Sequence, residues 1–361
     1  MMCTGTAART CTGWSIRDST NPAPSPDPAS IHPIFRDSVV PMALLEEQHT
    51  TLPAPRARTR AGMFVVVSSL AITFILLAHS WLPDIAGLGL LLDSGLIWLG
   101  ALIPLVGLAA IAARRKYLAA AVMVPAVVWS LLFVPGMIPL AWSAPAQSPD
   151  SLTVVSQNLQ AESGTAAESA GALAATGAQV VALQEIDGAS QTSVDAEFDA
   201  HYEYSYRIGT VGLWSTYPIS NAQPQDLGLG WNRALSADLD TPAGPVRIYV
   251  VHAASARPTE HAERDTMLAN LAETIAADAS ERIIAVGDFN AASSDRHFSQ
   301  LTALLRKPKN DGGLAGFTWP ASPFPVARVD HLLQRGMTVT SNAVMEAGAS
   351  DHLAIRTSLN L

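Results

Sequence analysis

The sequence predicts a layered α/β domain with partly antiparallel sheets, preceded by three transmembrane helices. Hydrophobic residues make up 49% of the 361 residues, and the mean hydropathy is +0.23. Both values are high for a soluble protein. The apolar excess lies in three long blocks before residue 143, whereas short β-branched runs alternate with Ala-rich helical stretches after residue 152. This mixed order of strands and helices is typical of layered α/β folds.

Residues 1–61 predict a disordered cytoplasmic tail. They are rich in Pro, Ser, Thr and Ala, as in "STNPAPSPDPAS", and show no sustained apolar period. The two cysteines, Cys3 and Cys11, both lie in this tail, so no disulfide can connect parts of the remaining chain.

The charge distribution bears on the partners of the C-terminal part. The formal net charge is −9, and most acidic residues lie after Ser143, where they outnumber basic ones. The C-terminal part therefore lacks the broad basic surface of proteins that grip a nucleic-acid backbone without regard to sequence. A local basic patch remains compatible with the composition.

The three apolar blocks, 62–82, 94–113 and 117–142, contain no charged residue. Each is long enough to cross the ~30 Å hydrocarbon core of a bilayer. A buried helical core is the alternative, which three uncharged stretches of this length disfavour. A transport protein is also disfavoured, because the helices lack paired acids or interrupted repeats. We interpret Asp93, at the edge of the second block, as an interfacial residue.

Basic residues predict the orientation of the helices in the membrane. Arg56, Arg58 and Arg60 precede the first block, and residues 114–116 (Arg-Arg-Lys) separate the second from the third. The loop 83–93 contains acids and no base, so both basic clusters should be cytoplasmic. We therefore expect a multi-pass protein of the cell membrane with a cytoplasmic N-terminus. Residues 143–151 would be a short extended linker to an extracytoplasmic domain at 152–361.

The pattern after residue 152 predicts nine strands and three clear helices, each set given below in chain order. The strands are "LTVVSQ", "QVVALQ", "GTVGLWS", "NRALSADL", "VRIYVVH", "RIIAVGD", "RVDHLL", "MTVTSNA" and "HLAIRTSL". The clearest helices are "TAAESAGALAAT", "PTEHAERDTMLANLAETIAADAS" and "SSDRHFSQLTALL".

Hydrogen-bonding or ionisable side chains recur where these strands meet loops. They are Asn158, Glu185, His252, Asp288, Asn290, Asp330, Asp351 and His352. Each has an ordinary alternative: Asp288 and Asn290 can build a turn, His252 can be a satisfied core histidine, Glu185 can start a helix, and Asp351 can be an N-cap. Their number and chemical type favour a shared site.

If these residues converge, four carboxylates form a cluster of like charge. Such a cluster is unfavourable unless some groups are protonated or a cation lies among them. Oxygen ligands without cysteine favour Mg²⁺, with Mn²⁺ or Ca²⁺ as alternatives, over zinc. Magnesium held by one or two carboxylates commonly acts on phosphates, so phosphate esters are the leading substrate class.

The motifs from about Leu152 to the C-terminus resemble those of the endonuclease/exonuclease/phosphatase superfamily, which includes deoxyribonuclease I-like nucleases. The matching segments are "SQN", "VVALQEID", "GLWSTYPIS", "VVHAASARP", "ERDTML", "VGDFNA", "FTWP", "RVDHLL" and "SDHLAI". The resemblance implies an α/β fold, a four-layered α/β sandwich in which two central β-sheets are flanked by helices. It does not extend to the apolar blocks.

The resemblance also implies roles for the residues at the strand ends. Glu185 would be the principal Mg²⁺ ligand, with Asn158 beside it and Asp351 close to the metal. Asp288 and Asn290 would position water or the leaving group and hold phosphoryl oxygens, and His252 would donate to the phosphate. His352 would be the general base, oriented by Asp330. Where the family commonly has a Ser-Arg pair, this chain has "WSTYPI", which suggests a missing basic contact at Thr216.

The resulting hypothesis is a membrane-anchored, Mg²⁺-dependent phosphoesterase that hydrolyses phosphodiester bonds by in-line attack of water. Its substrate would be DNA, RNA or a phospholipid headgroup, and its other partner the lipid bilayer; no protein partner is predicted. The alternative is a catalytically silent extracytoplasmic binding or sensory domain. Such a domain should have lost a residue such as Glu185, Asp288 or His352, and the sequence retains all three.

Overall fold

The computed structural model describes residues 55–313 and 315–361. Residues 1–54 of the predicted disordered tail lie outside the described residues. The first helix begins at Pro55, before the predicted start at Gly62. The arginines of this segment are compatible with a helix because arginine is a good helix former.

Long apolar helical segments precede the sheets. The helices are α1 (Pro55–Ala78), α2 (Leu88–Gly95), α3 (Leu102–Ala113) and α4 (Tyr117–Met137), with 3₁₀ turns at His79–Trp81, Leu96–Ala101 and Leu140–Trp142. The segments Thr59–Trp81, Leu88–Ala113 and Tyr117–Met137 have mean hydropathies of 2.4, 2.4 and 2.2. They are long and apolar enough to span a membrane.

The helices expose apolar side chains on their outer surfaces. Leu70, Leu108 and Leu131 are 63%, 63% and 72% exposed. Contiguous apolar surface of this kind is unfavourable in water and marks a surface that contacts membrane or protein.

A second group of helices and the strands form the C-terminal part. The helices are α5 (Ala166–Ala174), α6 (Gln191–Phe198), α7 (Ala262–Ala277) and α8 (Phe298–Leu304). The strands are β1 (Ser151–Asn158), β2 (Val180–Gln184), β3 (Tyr204–Ile208), β4 (Val211–Ser215), β5 (Ile219–Pro224), β6 (Ala234–Thr241), β7 (Gly244–His252), β8 (Ile283–Asp288), β9 (Asp330–Arg335), β10 (Thr338–Met345) and β11 (Ala354–Asn360).

The strands form two mixed sheets that face each other across an apolar core. One sheet has the order β10-β11-β1-β2-β4-β3 and the other β5-β6-β7-β8-β9. Fully buried residues of both inner faces, such as Val180 and Ile284, fill the space between them. Helices α5 and α6 cover the outer face of the first sheet, and α7 and α8 cover that of the second. The predicted four-layered α/β sandwich is thus confirmed.

Three elements of the sandwich do not appear among the sequence-based predictions. Strands β3 and β5 lie at sheet edges and are only partly buried, so they lack an alternating apolar pattern. Helix α6 is short and buries only Val194 and Phe198. Weak amphipathicity therefore explains why the sequence pattern does not reveal them.

The predicted linker region is tied to the last strand. Ser148 N donates to Asn360 Oδ1 at 2.8 Å, and Asn360 Nδ2 donates to the carbonyl of Ala146 at 3.0 Å. These hydrogen bonds fix the path of the chain between the apolar helices and β1.

Asp93 lies inside a polar junction between the helices and the sandwich. Its position at the membrane interface stays a prediction. Its side chain is only 1% exposed and accepts from Arg296 Nε at 2.7 Å and from His79 Nδ1 at 2.7 Å. Arg296 also donates to the carbonyls of Leu82 and His79, at 2.7 and 2.8 Å. The sequence could not show this because Arg296 lies about 200 residues away.

Strand register brings the predicted polar residues to one end of the sandwich. Strands β1 and β2 are parallel, as are β7 and β8, with His252 opposite Asp288. Strand β9 runs antiparallel to β8 and begins with Asp330 opposite Asp288. The C-terminal ends of β1, β2, β7 and β8 therefore lie with the start of β9 at one end of the sandwich.

Candidate active site

Asn158 joins two carboxylates at this end of the sandwich. Its Nδ2 donates to Glu185 Oε1 at 3.0 Å and to Asp288 Oδ2 at 3.1 Å. Its Oδ1 accepts from the backbone N–H of Gln160 at 2.9 Å. As placed, the amide nitrogen faces the carboxylates, so Asn158 holds the end of the first sheet against the end of the second.

Glu185 is a charged carboxylate on a strained backbone. Its φ of +58° lies in the left-handed region, which costs a residue other than glycine about 1 kcal/mol or more. Hydrogen bonding from His252 lowers the pKa of Glu185 to about 2; burial opposes this, while bonds from Asn158 and from the N–H of Ala161 add to it. Backbone strain and a low pKa at the same residue are typical of functional sites.

His252 lies between Glu185 and a basic residue that the motifs did not single out. Its Nε2 is 3.4 Å from Glu185 Oε1. Arg233 Nη2 donates to His252 Nδ1 at 2.8 Å and also contacts Nε2. Thr210 Oγ1 is 3.5 Å from the same Nδ1. The site thus has a cationic side next to its carboxylates.

The basic contact of the site is Arg233, and Thr216 lies elsewhere. Strand β4 runs antiparallel to β2, so Thr210 lies near the site end of β2 and Thr216 near the opposite end. Thr216 therefore lies away from the candidate site, and whether a basic contact is missing there stays a prediction. The feature that could have identified Arg233 is its position directly before β6. The first residue of β6 pairs with Val251, which lies next to His252.

His352 and Asp330 form a buried dyad. His352 Nδ1 is 2.9 Å from Asp330 Oδ2, and the side chains are 9% and 1% exposed. Ser350 Oγ accepts from the backbone N–H of His352 at 3.0 Å and donates to the carbonyl of Asn158 at 2.6 Å. The loop that carries His352 is therefore attached to the end of β1.

The charges around this dyad perturb two pKa values. Burial alone would lower the pKa of His352, but the charge and hydrogen bond of Asp330, with the charges of Asp288 and Asp351, raise it to about 10. Burial, together with the charge of Asp330, raises the pKa of Asp288. Without a cation, the imidazole is thus protonated at neutral pH and balances part of the carboxylate charge.

Asn290 lies beside Asp288 in a turn with left-handed backbone. Its φ is +47°, its N–H donates to Asp288 Oδ1 at 2.8 Å, and its Nδ2 donates to the carbonyl of Ala253 at 3.0 Å. The carbonyl of Asn290 accepts from Arg264, which is 1% exposed and also pairs with Asp295 at 2.7 Å. Arg264 therefore supports the turn from behind.

Asp351 lies at the periphery of the group. Its carboxylate is 3.4 Å from Trp319 Nε1, and its N–H donates to Gln160 Oε1 at 3.1 Å. Among the described residues, its carboxylate forms no hydrogen bond with another predicted site residue. The structure thus joins five of the eight predicted residues by hydrogen bonds or an ion pair: Asn158, Glu185, His252, Asp288 and Asn290. The His352–Asp330 dyad lies within 4.8 Å of Asp288, and Asp351 lies beside the group.

The residues present fit a hard divalent cation. One ligand atom from each of Asp288, Asp330 and His352 lies within 4.8 Å of the others, and all three residues are buried. Asp330 Oδ1 is buried and has no hydrogen-bond partner within residues 55–313 and 315–361. An unpaired carboxylate oxygen next to a second buried carboxylate is costly unless positive charge compensates it. The ligands are oxygens with at most one imidazole, which suits Mg²⁺ or Mn²⁺.

A family model places this arrangement among known proteins. The model described as Endonuclease/Exonuclease/phosphatase family matches residues 147–352, which is more than half of the chain. The chain belongs to the endonuclease/exonuclease/phosphatase family. Members of this family are divalent-metal-dependent hydrolases of phosphodiester bonds. Among curated proteins, none matches the chain.

Solved structures similar to this chain include the following three. An endonuclease/exonuclease/phosphatase from Bacteroides vulgatus has a TM-score of 0.50 and 14% identity, covering 58% of this chain and 99% of its own. D. rerio TDP2 complexed with a single-strand DNA product has 0.47 and 17%, covering 58% and 99%. Beta toxin from Staphylococcus aureus has 0.46 and 13%, covering 57% and 99%.

Proposed function

We propose that this protein is a membrane-anchored, divalent-cation-dependent phosphodiesterase. One observation carries the proposal: Asn158, Glu185 and Asp288 are hydrogen-bonded together beside the His352–Asp330 dyad. Carboxylates for a cation, an oriented imidazole and the N–H donors of His252 and Arg233 are the groups that phosphoryl transfer to water requires.

Glu185, Asp288 and Asp330 are the carboxylates that would hold the cation, with Asn158 keeping two of them in place. When bound, Mg²⁺ supplies charge stabilisation at phosphoryl oxygens. Its charge also compensates the carboxylates that otherwise keep His352 protonated. Mn²⁺ and Ca²⁺ are the alternatives, because they take the same oxygen ligands.

The side chains then divide the remaining work. Asp330 accepts from Nδ1–H of His352, which leaves Nε2 available to take a proton from the attacking water. His252 and Arg233 can donate to the non-bridging oxygens or to the leaving oxygen. Asn290 and Asp288 orient the phosphoryl group or the water, while Asp351 adds negative charge at the edge of the site.

The three apolar helices support membrane anchoring. Residues 114–116 lie next to the start of α1, where Gly62 approaches Tyr117, while the sandwich contacts the other end of α1 at His79. A basic cytoplasmic loop at one end of the helices would thus leave the sandwich outside the cytoplasm. In that position, phospholipid headgroups and extracellular nucleic acid are the available phosphodiesters.

The proposal is tested with the purified full-length chain in detergent. We expect hydrolysis of bis(p-nitrophenyl) phosphate with Mg²⁺ and its loss in excess chelator. Glu185→Gln should raise the Mg²⁺ concentration needed, because one ligand loses its charge. His352→Ala should lower turnover by about 10²- to 10⁴-fold, the usual contribution of a general base. Glu197→Gln, an exposed change on α6, is the matched control and should behave like wild type.

The outcomes separate the proposal from its alternative. Metal-independent turnover, or full activity of His352→Ala, would contradict the assigned chemistry. A chain that binds Mg²⁺ in a Glu185-dependent manner but hydrolyses neither DNA, RNA, phospholipids nor simple diesters would be the silent binding domain instead. A panel of these substrates, run with wild type and His352→Ala, also identifies the preferred class.

A further inference from the structure

A cavity of about 310 Å³ lies where the apolar helices meet the sandwich. One side is formed by the last turns of α4, including Leu132, Phe133 and Met137. The other side is formed by polar and basic residues of the sandwich, including Lys307 and Arg328. None of the residues that line it belongs to the proposed catalytic set, so it is a separate compartment.

The polar side of the cavity contains a buried guanidinium whose hydrogen bonds are incomplete among the described residues. Arg328 is 5% exposed, and its Nε and Nη2 have no hydrogen-bond partner in the part of the chain that the structure describes. Among the described residues, neither Arg328 nor Lys307 forms an ion pair with a carboxylate. A buried guanidinium with unpaired donors is strongly unfavourable unless an anion completes its hydrogen bonds.

Lys307 adds a second cationic group to the same wall. Burial, and then the charge of Arg328, lower the pKa of Lys307 to about 7. Two neighbouring basic groups on one wall create a local positive potential, and the charge of Arg328 disfavours the charged form of Lys307. An anion that contacts both groups relieves the repulsion and restores the charged state of Lys307.

The apolar side of the cavity lies at the ends of the helices. Met137 is the last residue of α4, and Leu76 lies near the end of α1. At 1.5 Å per residue, Leu132 is about one and a half turns from the end of α4. If the helices span a bilayer, the apolar wall lies beside the acyl chains just below the headgroups on the side of the sandwich. The cationic wall then lies at the level of those headgroups.

We propose that this cavity binds an anionic phospholipid from the surrounding bilayer, with its phosphate on Arg328 and Lys307 and an acyl chain along Leu132, Phe133 and Met137. The inference rests on the proposed membrane insertion. A free phosphate would satisfy the cations but leave the apolar wall uncovered, whereas a lipid matches both walls. Such a lipid would hold the sandwich on the helix ends without being a substrate of the carboxylate site.

The experiment uses the full-length chain in detergent with excess chelator, so that no metal-dependent hydrolysis of the lipid can occur. Native mass spectrometry counts bound lipids, and thermal unfolding measures the stabilisation they give. The probes are phosphatidylglycerol as the anionic lipid, phosphatidylcholine as the zwitterionic lipid, and inorganic phosphate. We expect one phosphatidylglycerol per chain and a higher Tm, with weaker binding of phosphatidylcholine and little effect of phosphate.

Variants locate the site. Arg328→Gln and Lys307→Gln should each weaken phosphatidylglycerol binding by at least about tenfold, as losses of buried charge contacts usually do. Gly136→Leu should also weaken it by filling the apolar side. A Cβ at Gly136 meets no atom within 4 Å, so this variant should fold even if Arg328→Gln does not. Lys116→Gln, at the opposite ends of the helices, is the matched control and should bind like wild type.

Three results would overturn the lipid site: equal binding of both lipids, unchanged binding in all the cavity variants, or stabilisation by inorganic phosphate equal to that by phosphatidylglycerol. Diester hydrolysis with Mg²⁺ and carbonate extraction of membranes are measured for the same variants. A chain that hydrolyses diesters and resists extraction but shows no lipid preference contradicts this inference alone. A chain that binds phosphatidylglycerol selectively but hydrolyses nothing contradicts only the proposed activity.

Discussion

At the scale of single residues, Asn158 connects the two halves of the candidate site. Its amide donates to Glu185 from the first sheet and to Asp288 from the second. The same strand end accepts from Ser350 through its carbonyl, which places His352. One side chain and its backbone therefore position groups from β2, β8 and the loop before β11.

The protonation of His352 should depend on the cation. In the cation-free protein its pKa is raised to about 10, so the protonated ring stabilises the fold. This contribution is complete below the ordinary pKa of about 6.5 and is lost as the pH rises through about 10. Adding Mg²⁺ brings positive charge to the same carboxylates and should lower the pKa of His352 by about one unit or more.

Histidine NMR in chelator and then in Mg²⁺ measures this shift directly. His331 is the internal control: it is fully buried, its Nε2 is 3.0 Å from the carbonyl of Ala291, and burial holds its pKa well below the usual range. Its ring should therefore show no titration at neutral pH, with or without Mg²⁺. A His352 pKa that stays the same on Mg²⁺ addition would place the cation away from the dyad.

At the scale of elements, the segment between β8 and α8 links the candidate site to the apolar helices. It begins with the Asp288–Asn290 turn and continues to Arg296, which donates to Asp93 and to the carbonyls of His79 and Leu82, just after α1. Arg264 supports the segment through Asn290 and Asp295. The junction therefore fixes a loop that starts in the site.

Arg296→Gln should loosen this junction. It leaves the carboxylate of Asp93, which is 1% exposed, without its main cationic partner. Removing one member of a buried pair usually costs about 3–5 kcal/mol. Thermal unfolding of the full-length chain in detergent should show a lower Tm, and limited proteolysis should cut faster near residue 296.

The control for this change is Arg257→Gln. Arg257 pairs with Glu260, but both side chains are about three-quarters exposed, at 74% and 70%. An exposed pair contributes less than about 1 kcal/mol, so the Tm should barely change. If both variants lower stability equally, the junction is no stronger than a surface contact.

At the scale of the whole molecule, the helices separate a basic loop from the sandwich. The loop 114–116 lies at the start of α1, and the sandwich packs against its end. Membrane insertion in the predicted orientation puts residue 116 in the cytoplasm and α6 outside it.

Cysteine labelling tests this orientation. The native cysteines, Cys3 and Cys11, are first replaced by serine, and then Glu197→Cys or Lys116→Cys is introduced singly. A membrane-impermeant maleimide should label the Glu197→Cys variant on intact cells and the Lys116→Cys variant only after permeabilisation. The reverse pattern would place the sandwich in the cytoplasm.

Much of the sandwich and of the site could be predicted from local sequence. The buried strands could be predicted because burial selects apolar and β-branched residues. The "LQE", "GDFN" and "SDH" motifs stand out because their polar residues end these apolar runs. Edge strands β3 and β5 could not be predicted, since half-exposed strands have no distinct pattern. Arg233 was missed because an isolated arginine before a strand resembles an ordinary surface residue.

The sequence by itself determined the apolar helices, the α/β class and the identities of the residues at the strand ends, because each follows from local composition and spacing. Only the tertiary structure decided which of them meet: Asn158 between Glu185 and Asp288, Arg233 on His252, Arg296 on Asp93, and Arg328 with Lys307 at a cavity wall. These pairs join residues distant in the chain, and their partners follow from strand register and packing.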